Sequence, residues 1–463
     1  MKGYVRLVVI FLSPIFLNAC ANLSAGNLFS HYSAQNNVVY QSVKVGQYQQ
    51  AESELPDYIA GDILDNLEKG RVYFLNQKYV ESKATFELSD AAIKVQQDKA
   101  LISLSDTASS VGSLAANDNL TEYIPADYEL GFLHLYLSLN YLQRNDLEGA
   151  LVEIRRANQV QEQARKTREA DLEKAQKDMQ AQGVTPNLGS VLSNYPDAGK
   201  TLQAVQNAYL LYLSALLYET SNDLNSAYVD YKRALAVMPD NPEVIDGTLR
   251  VAKRLAMKAD LVQLEKQYGK ASAMSEYQGR VIILEEQSIV QAMQSWRQSL
   301  PLYDSRGNGA LYSLALPYYP KAQAEGFARL AINGQPVESN VLADVNLMAN
   351  QNLSERMPSI VIRQALRVFA KDQLRKEAAK DNDVGNLLLN AWNLLTEQPD
   401  TRSWITLPGQ VKSTSLLVDA GEQRIELKGQ EYVFSVPEKG TTLVWISRQG
   451  NNATIWHKQL GRL

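Results

Sequence analysis

The chain has 463 residues, 45% of them apolar and 21% charged, and a formal net charge of −5. That balance belongs to a folded chain long enough for about three domains, and its mild acidity argues against a nucleic-acid partner. One cysteine and three histidines leave no material for a disulfide framework and little for a metal cluster.

At the N-terminus Lys2 and Arg6 precede the apolar run LVVIFLSPIFL, Leu7 to Leu17. It has the length of a signal-peptide core and is too short to cross a bilayer as a lasting helix. The lone Cys20 follows directly. Leu17-Asn18-Ala19-Cys20 resembles the bacterial lipobox, with Asn18 where Ala or Ser is usual. The resemblance implies cleavage between Ala19 and Cys20, diacylglycerol on the Cys20 thiol, and an acyl chain such as palmitate on the freed amine. Ala21, where an aspartate would favour the inner membrane, points to an outer-membrane anchor facing the periplasm; display on the cell surface is the other arrangement such an anchor allows. Removing residues 1–19 takes away Lys2 and Arg6, so the net charge moves from −5 to −7. No later stretch approaches the ~20 continuous apolar residues of a membrane-spanning helix.

Residues 20–56, rich in Ser, Asn and Gln, read as a lipidated tether grading into a first short helix. From 57 to 269 helical periodicity dominates, with internal repeats. The clearest unit, LYLSALLYETSNDLNSAYVDYKRALAVMPDNP from Leu211, resembles the tetratricopeptide repeat. Small Ala215, Ala227 and Ala234 let two helices approach, Tyr218 and Tyr231 fill the remaining space, SND makes the turn, and Pro239 closes the second helix. In LYLSLNYLQRNDLEGALVEIRRAN, Ser138, Tyr141, Ala150, Ile154 and Ala157 take the equivalent places. A weaker unit at 68–93 carries Gly70, Tyr73, Ser82 and Phe86, and the stretch after Asn241 adds another helix pair. Between Ala150 and Ala227 the spacing exceeds two ~34-residue units. The insert is polar all round up to Gln182, which predicts a projecting helical arm near 160–182 rather than a packed helix.

Near residue 270 the pattern changes. GRVIILEE (279–286), ALYSLALPYYP (310–320) and EGFARLAINGQPV (325–337) predict strands, and helices are expected at 357–380, with Ile360, Ala365, Leu366 and Phe369 on one side, and at 384–397. Residues 401–463, with WITLP at 404–408 as the first candidate, read as short strands in an antiparallel sheet. The expected fold is therefore α+β. An all-α tetratricopeptide-like superhelix is followed by an α/β segment at 270–400 and a small β-rich unit at 401–463.

Taken in order, the repeat units, the Gly279 strand, LALPYY and PDTRSWITLP resemble a family of large bacterial envelope lipoproteins with tetratricopeptide-like N-terminal halves. Its members tend to be encoded beside small lipoproteins resembling activators of peptidoglycan synthases or curli-channel subunits. No chemistry transfers from it. The residues themselves offer little. His31 lies in the tether, His134 in a repeat helix and His457 near the C-terminus. Glu285 and Glu286, adjacent on a strand, point to opposite faces. DSRGNGALY (304–312) reads as a turn, and Arg402 with Trp404 is either a ligand contact or packing at a domain junction. The expectation is a lipid-anchored periplasmic adaptor without cofactor, metal or small-molecule substrate, which holds envelope proteins in its repeat groove, in cell-wall synthesis or an outer-membrane secretion assembly. The alternatives are a peptidoglycan-acting enzyme with its site in 280–463, or a structural subunit of a secretion or appendage apparatus.

Overall fold

The computed structural model describes residues 31–103, 122–161, 163, 177, 185–186, 206–271, 273–303, 309–322, 326–378, 399–427, 429–450 and 452–463. Ala19, Cys20, most of the arm expected at 160–182, the Gly-containing part of 304–308 and the helix expected at 384–397 lie outside those residues.

Helical structure begins earlier than the composition implied. α1 (Tyr32–Gln35), α2 (Asn37–Lys44) and α3 (Tyr48–Ser53) bury Tyr32, Val39, Tyr40, Val43 and Ala51. The expected tether 20–56 is thus folded from residue 31 onward. A few apolar side chains at helical spacing suffice to dock it, because Ser33 donates to Met293 O and Tyr40 to Val290 O.

Four helical hairpins follow. They are α4 (Asp62–Leu75) with α5 (Tyr79–Ser103), α6 (Asp127–Gln143) with α7 (147–161), α8 (Ala208–Thr220) with α9 (Leu224–Val237), and α10 (Pro242–Arg254) with α11 (Lys258–Tyr268). One local device turns all four. Gln77, Asn145, Asn222 and Ala256 sit at φ 61°, 63°, 63° and 53°, the left-handed position that ends a helix. The next residue's N–H reaches back to Tyr73, Tyr141, Tyr218 and Ala252 O at 2.8, 3.0, 2.9 and 3.0 Å. The tyrosines read from the sequence as equivalent therefore occupy one place in three successive hairpins, and Ala256 follows Asn222 by one ~34-residue period. Side-chain caps start α8, α9 and α10, where Asn207, Asp223 and Asn241 accept from Leu210, Ser226 and Val244 N–H. α9 stops at Val237, since Pro239 disfavours helical backbone in the residue before it.

The second half builds two layers on these hairpins. β2 (Gln278–Gln287) is the middle of a five-stranded sheet in the order β12 (Asn452–Gly461), β11 (Thr441–Gln449), β2, β8 (Gln410–Asp419), β7 (Asn340–Asp344). β2 and β11 run parallel and the other pairs antiparallel, so the sheet is mixed, not antiparallel as expected. It draws on both 270–400 and 401–463. The composition of 401–463 could not show that its hairpin pairs with a strand more than a hundred residues upstream. Along β2, Ile282 and Leu284 face the helical core, while Val281 and Ile283 face a small second sheet. Burial on both faces accounts for the unbroken apolar run. That second sheet comprises β10 (Gln430–Val436), β9 (Gly421–Leu427), β5 (Ala331–Ile332) and β6 (Gln335–Pro336).

A satellite layer joins β3 (Gln294–Tyr303) and β4 (Gly309–Tyr318) to α12 (Val345–Ala378) through Leu314, Leu316, Met357, Val361 and Ala365. Thr185–Pro186 adds a two-residue strand, β1, along β3. α12 starts twelve residues before the predicted 357 and carries Pro358 within it. Leu366 is buried as expected and Ile360 partly so; the Phe369 side chain is outside those described.

Candidate functional site: the seam between hairpins and sheet

The first helix of each hairpin faces the sheet, and the contact is built on charge as well as on apolar area. Glu286, last but one on β2, is fully buried and receives Arg71 Nη2 of α4 at 2.6 Å. It also accepts from the Tyr136 hydroxyl of α6 at 3.1 Å, the Tyr209 hydroxyl of α8 at 3.2 Å and Trp445 Nε1 of β11 at 3.3 Å. One carboxylate thus ties three repeats to two strands. Arg71 further donates to Ser447 Oγ at 3.1 Å and Thr406 O at 3.3 Å, and lies 4.5 Å over the Tyr136 ring. Phe74, Tyr136, Trp404 and Trp445 pack edge-on or tilted around it, with centroids 5.0–5.9 Å apart. Burial beside Glu286 holds the Tyr136 and Tyr209 hydroxyls protonated well past their ordinary range.

Beside this hub, two more buried carboxylates clamp the segment 404–406. Glu129 of α6 accepts the Trp404 N–H at 2.7 Å, and Glu68 of α4 accepts the Ile405 N–H at 2.7 Å, with Thr406 Oγ1 2.6 Å from its second oxygen. Burial pushes Glu68 up to about 8 and raises Glu129. WITLP is consequently not the strand its composition suggests. Trp404 is fully buried at the junction of helices and sheet, and Arg402 is turned onto Asp400 at 2.8 Å and over the Tyr123 ring. Between the two readings of that pair, packing is what the structure displays. The fourth hairpin docks likewise: Asn241 Nδ2 donates to Ser413 Oγ at 2.9 Å, and Arg280 pairs with Asp246.

The groove expected to receive envelope proteins is therefore filled by the chain's own sheet. The first helices of the hairpins are consumed by contacts to that sheet and the segment beside it.

The repeat residues sit at the contacts their size implied. Ala150, Ile154, Ala157, Ala215, Ala227, Tyr231 and Ala234 are fully buried, Tyr218 is nearly so, and Pro239 is exposed. Ser138 Oγ donates across its hairpin to Ala150 O at 3.0 Å, as Ser82 does to Gly70 O at 2.8 Å. Tyr141 covers Gly149 and donates to Glu87 at 3.2 Å. The histidines are dispersed. His134 Nδ1 is 2.7 Å from Glu153, His31 caps α1 and is lowered by burial, and His457, also lowered by burial, meets the Tyr432 hydroxyl. No group of three His, Cys, Asp or Glu side chains is placed to hold a metal among the described residues. Glu285 and Glu286 face opposite ways, the former to Arg448 at 2.5 Å. A cleft of about 520 Å³ lies between residues 46–50, the α4–α5 turn and the β11–β12 hairpin. Amides wall it, among them Gln47, Gln49, Asn76 and Gln77, and no charged side chain lines it.

What the sequence did not disclose is the hub. Arg71, Tyr136, Tyr209 and Glu286 share no local motif. The one signal was a pair of charges placed where helix and strand periodicity demanded apolar residues.

Fold and seam together define a helical-repeat protein whose inner face is closed by a sheet of the same chain. No family model and no curated protein matches the sequence. Among solved structures the chain is similar to the crystal structure of MamA protein, at 8% identity and TM-score 0.27 over 54% of this chain and 100% of that one. It is also similar to the TPR2AB-domain:pHSP90-complex of yeast Sti1, at 11% identity and TM-score 0.18 over 50% and 88%. The repeat assignment rests on the four equivalent turns.

Proposed function

We propose that this protein is a non-catalytic adaptor of the bacterial envelope, anchored through lipid on Cys20 to the periplasmic face of an outer membrane, and that it gathers partner proteins along its outer helices. The observation that carries this reading is a recurrence. Val152 of α7 and Val229 of α9 are 45% and 56% exposed, and each follows its left-handed turn residue by seven positions, as Ala84 does on α5. Val262 of α11, 67% exposed, follows its own by six. Single exposed valines mean little. A valine repeated at one place on successive outer helices makes an apolar row, and a row of that kind suits a protein surface.

The experiment is photocrosslinking in cells, with the probe at Val152 or Val229 and a control probe at Tyr277, which is 75% exposed away from the row. Adducts to envelope proteins from the row and not from Tyr277 support the reading. Equal or absent adducts at all three positions overturn it.

A further inference from the structure

Helix α5 has an inner side of Ser82, Phe86, Ser89 and Ile93, all buried. Its outer side shows Val80, Leu88 and Val95 at 63%, 60% and 53% exposure, with exposed Ala84 and Ala91 between them. Steps of four, four, three and four residues keep all five on one face. No other outer helix of the described residues carries more than one large exposed apolar side chain.

The charges beside this stripe decide what fits it. Along one flank run Lys83, Glu87, Lys94 and Asp98, and along the other Glu81 and Lys99. Reversing the helix inverts every sign. About a point between Asp90 and Ala91, Lys83 exchanges places with Asp98 and Glu87 with Lys94, and Glu81 lands one position from Lys99. The same operation sets Leu88 at the level of residue 93, between Ala91 and Val95 of the image, and Val95 at the level of 86, between its Ala84 and Leu88, so that large side chains enter gaps along the stripe, which is how close helix pairs interlock. A surface whose shape and charge both complement its own reversed image meets the requirement of a twofold interface.

We infer that a second copy of this chain docks on α5, antiparallel, with the twofold axis passing near residues 90 and 91. Glu87 then bridges Lys94 of the second copy, Lys83 its Asp98 and Glu81 its Lys99. Within the single chain Lys83 contacts Glu87 at 2.5 Å, Lys94 contacts Asp90 at 2.8 Å and Lys99 contacts Glu122 at 3.4 Å. Each of these pairs has at least one partner reaching solvent, and Asp90 keeps Arg156 when Lys94 leaves it, so exchanging them across the seam costs little. One helix pair is a small contact, below the ~1,200 Å² where standard interfaces begin, so the dimer belongs to the weak, reversible class.

The test is sedimentation of the full-length chain carrying Cys20→Ala, at high micromolar concentration and without other proteins. The parent is expected to dimerise. Leu88→Glu should weaken association at least about tenfold while leaving the circular dichroism and melting profile unchanged, because Leu88 is outside the core. Lys94→Glu should weaken it as well, and Glu87→Lys added to Lys94→Glu should restore it, a rescue that a merely folded helix would not produce. A parent that stays monomeric, a Leu88→Glu chain that dimerises like the parent, or a charge exchange without rescue overturns the inference. None of these outcomes bears on the row at Val152 and Val229, so the adaptor reading stands or falls separately.

Discussion

Arg71 and Glu286 lie 215 positions apart and meet at 2.6 Å, with neither side chain reaching solvent. Breaking one side of such a pair leaves an uncompensated buried charge, which costs about 3–5 kcal/mol, whereas replacing both sides by apolar groups is often neutral. Glu286→Gln should therefore lower the unfolding free energy by about that amount in urea titrations, and Arg71→Met with Glu286→Leu should recover most of it. A loss under about 1 kcal/mol for the single change would show that the hub is not what holds hairpins and sheet together.

Glu68 should answer the same substitution differently. Its carboxyl is held protonated up to about 8 by burial, against an ordinary 4.5. Below pH 4.5 folded and unfolded chains both carry the proton. Between 4.5 and 8 only the folded chain does, so stability falls as pH rises through that window and levels off above it, at about 1.4 kcal/mol per pH unit. Glu68→Gln presents the same carbonyl to Ile405 N–H, and its amide faces the Thr406 oxygen as the protonated acid does. The variant should be as stable as the parent at low pH and more stable at pH 8. A parent whose melting temperature is flat across the window, or a variant that tracks it, contradicts this account.

Glycine substitutions separate close packing from helix propensity. A Cβ added at Gly247 of α10 collides with the ring of buried Tyr231, whose hydroxyl is held by Glu219 at 3.0 Å and Arg250 at 3.1 Å. At Gly131 of α6 the nearest atom to such a Cβ is Leu210 Cδ1 at 3.7 Å, ordinary contact. Alanine gains about 1 kcal/mol over glycine inside a helix, and overpacking costs about 1–3 kcal/mol. Gly131→Ala should thus raise the melting temperature and Gly247→Ala lower it. Equal shifts in the two variants would mean that the Tyr231 contact is slack.

These residues also mark where the sequence was readable. The turns at Asn145 and Asn222 and a strand at 279–286 are legible because each depends on its neighbours alone, through turn chemistry and a β-branched run bounded by glycine. The docking of α1–α3 is not, since a polar segment is fixed by a few atoms supplied by Met293, Val290 and Thr401. WITLP misled for a related reason. Aromatic and β-branched residues suit a strand, but here the N–H groups go to Glu129 and Glu68, and nothing local announces carboxylates from two other helices. The filled groove follows from the same fact. Helical periodicity reports that a face is apolar and is silent on whether another protein or the rest of the chain covers it.

The proposed anchor is open to a chemical test. The lipobox-like run ending at Cys20 makes that thiol the proposed attachment point; no helix among the described residues is long and apolar enough to cross a membrane. Each buried CH₂ contributes about 0.8 kcal/mol, one chain binds only marginally, and stable attachment takes more than one. In cells fed labelled palmitate the parent should incorporate label and lose residues 1–19. Cys20→Ser should take up none and retain the N-terminal run, with a mass larger by those residues. An unlabelled parent, or a Cys20→Ser chain that keeps the label, would place the attachment elsewhere and remove the membrane from the adaptor proposal, leaving the seam at Glu286 untouched.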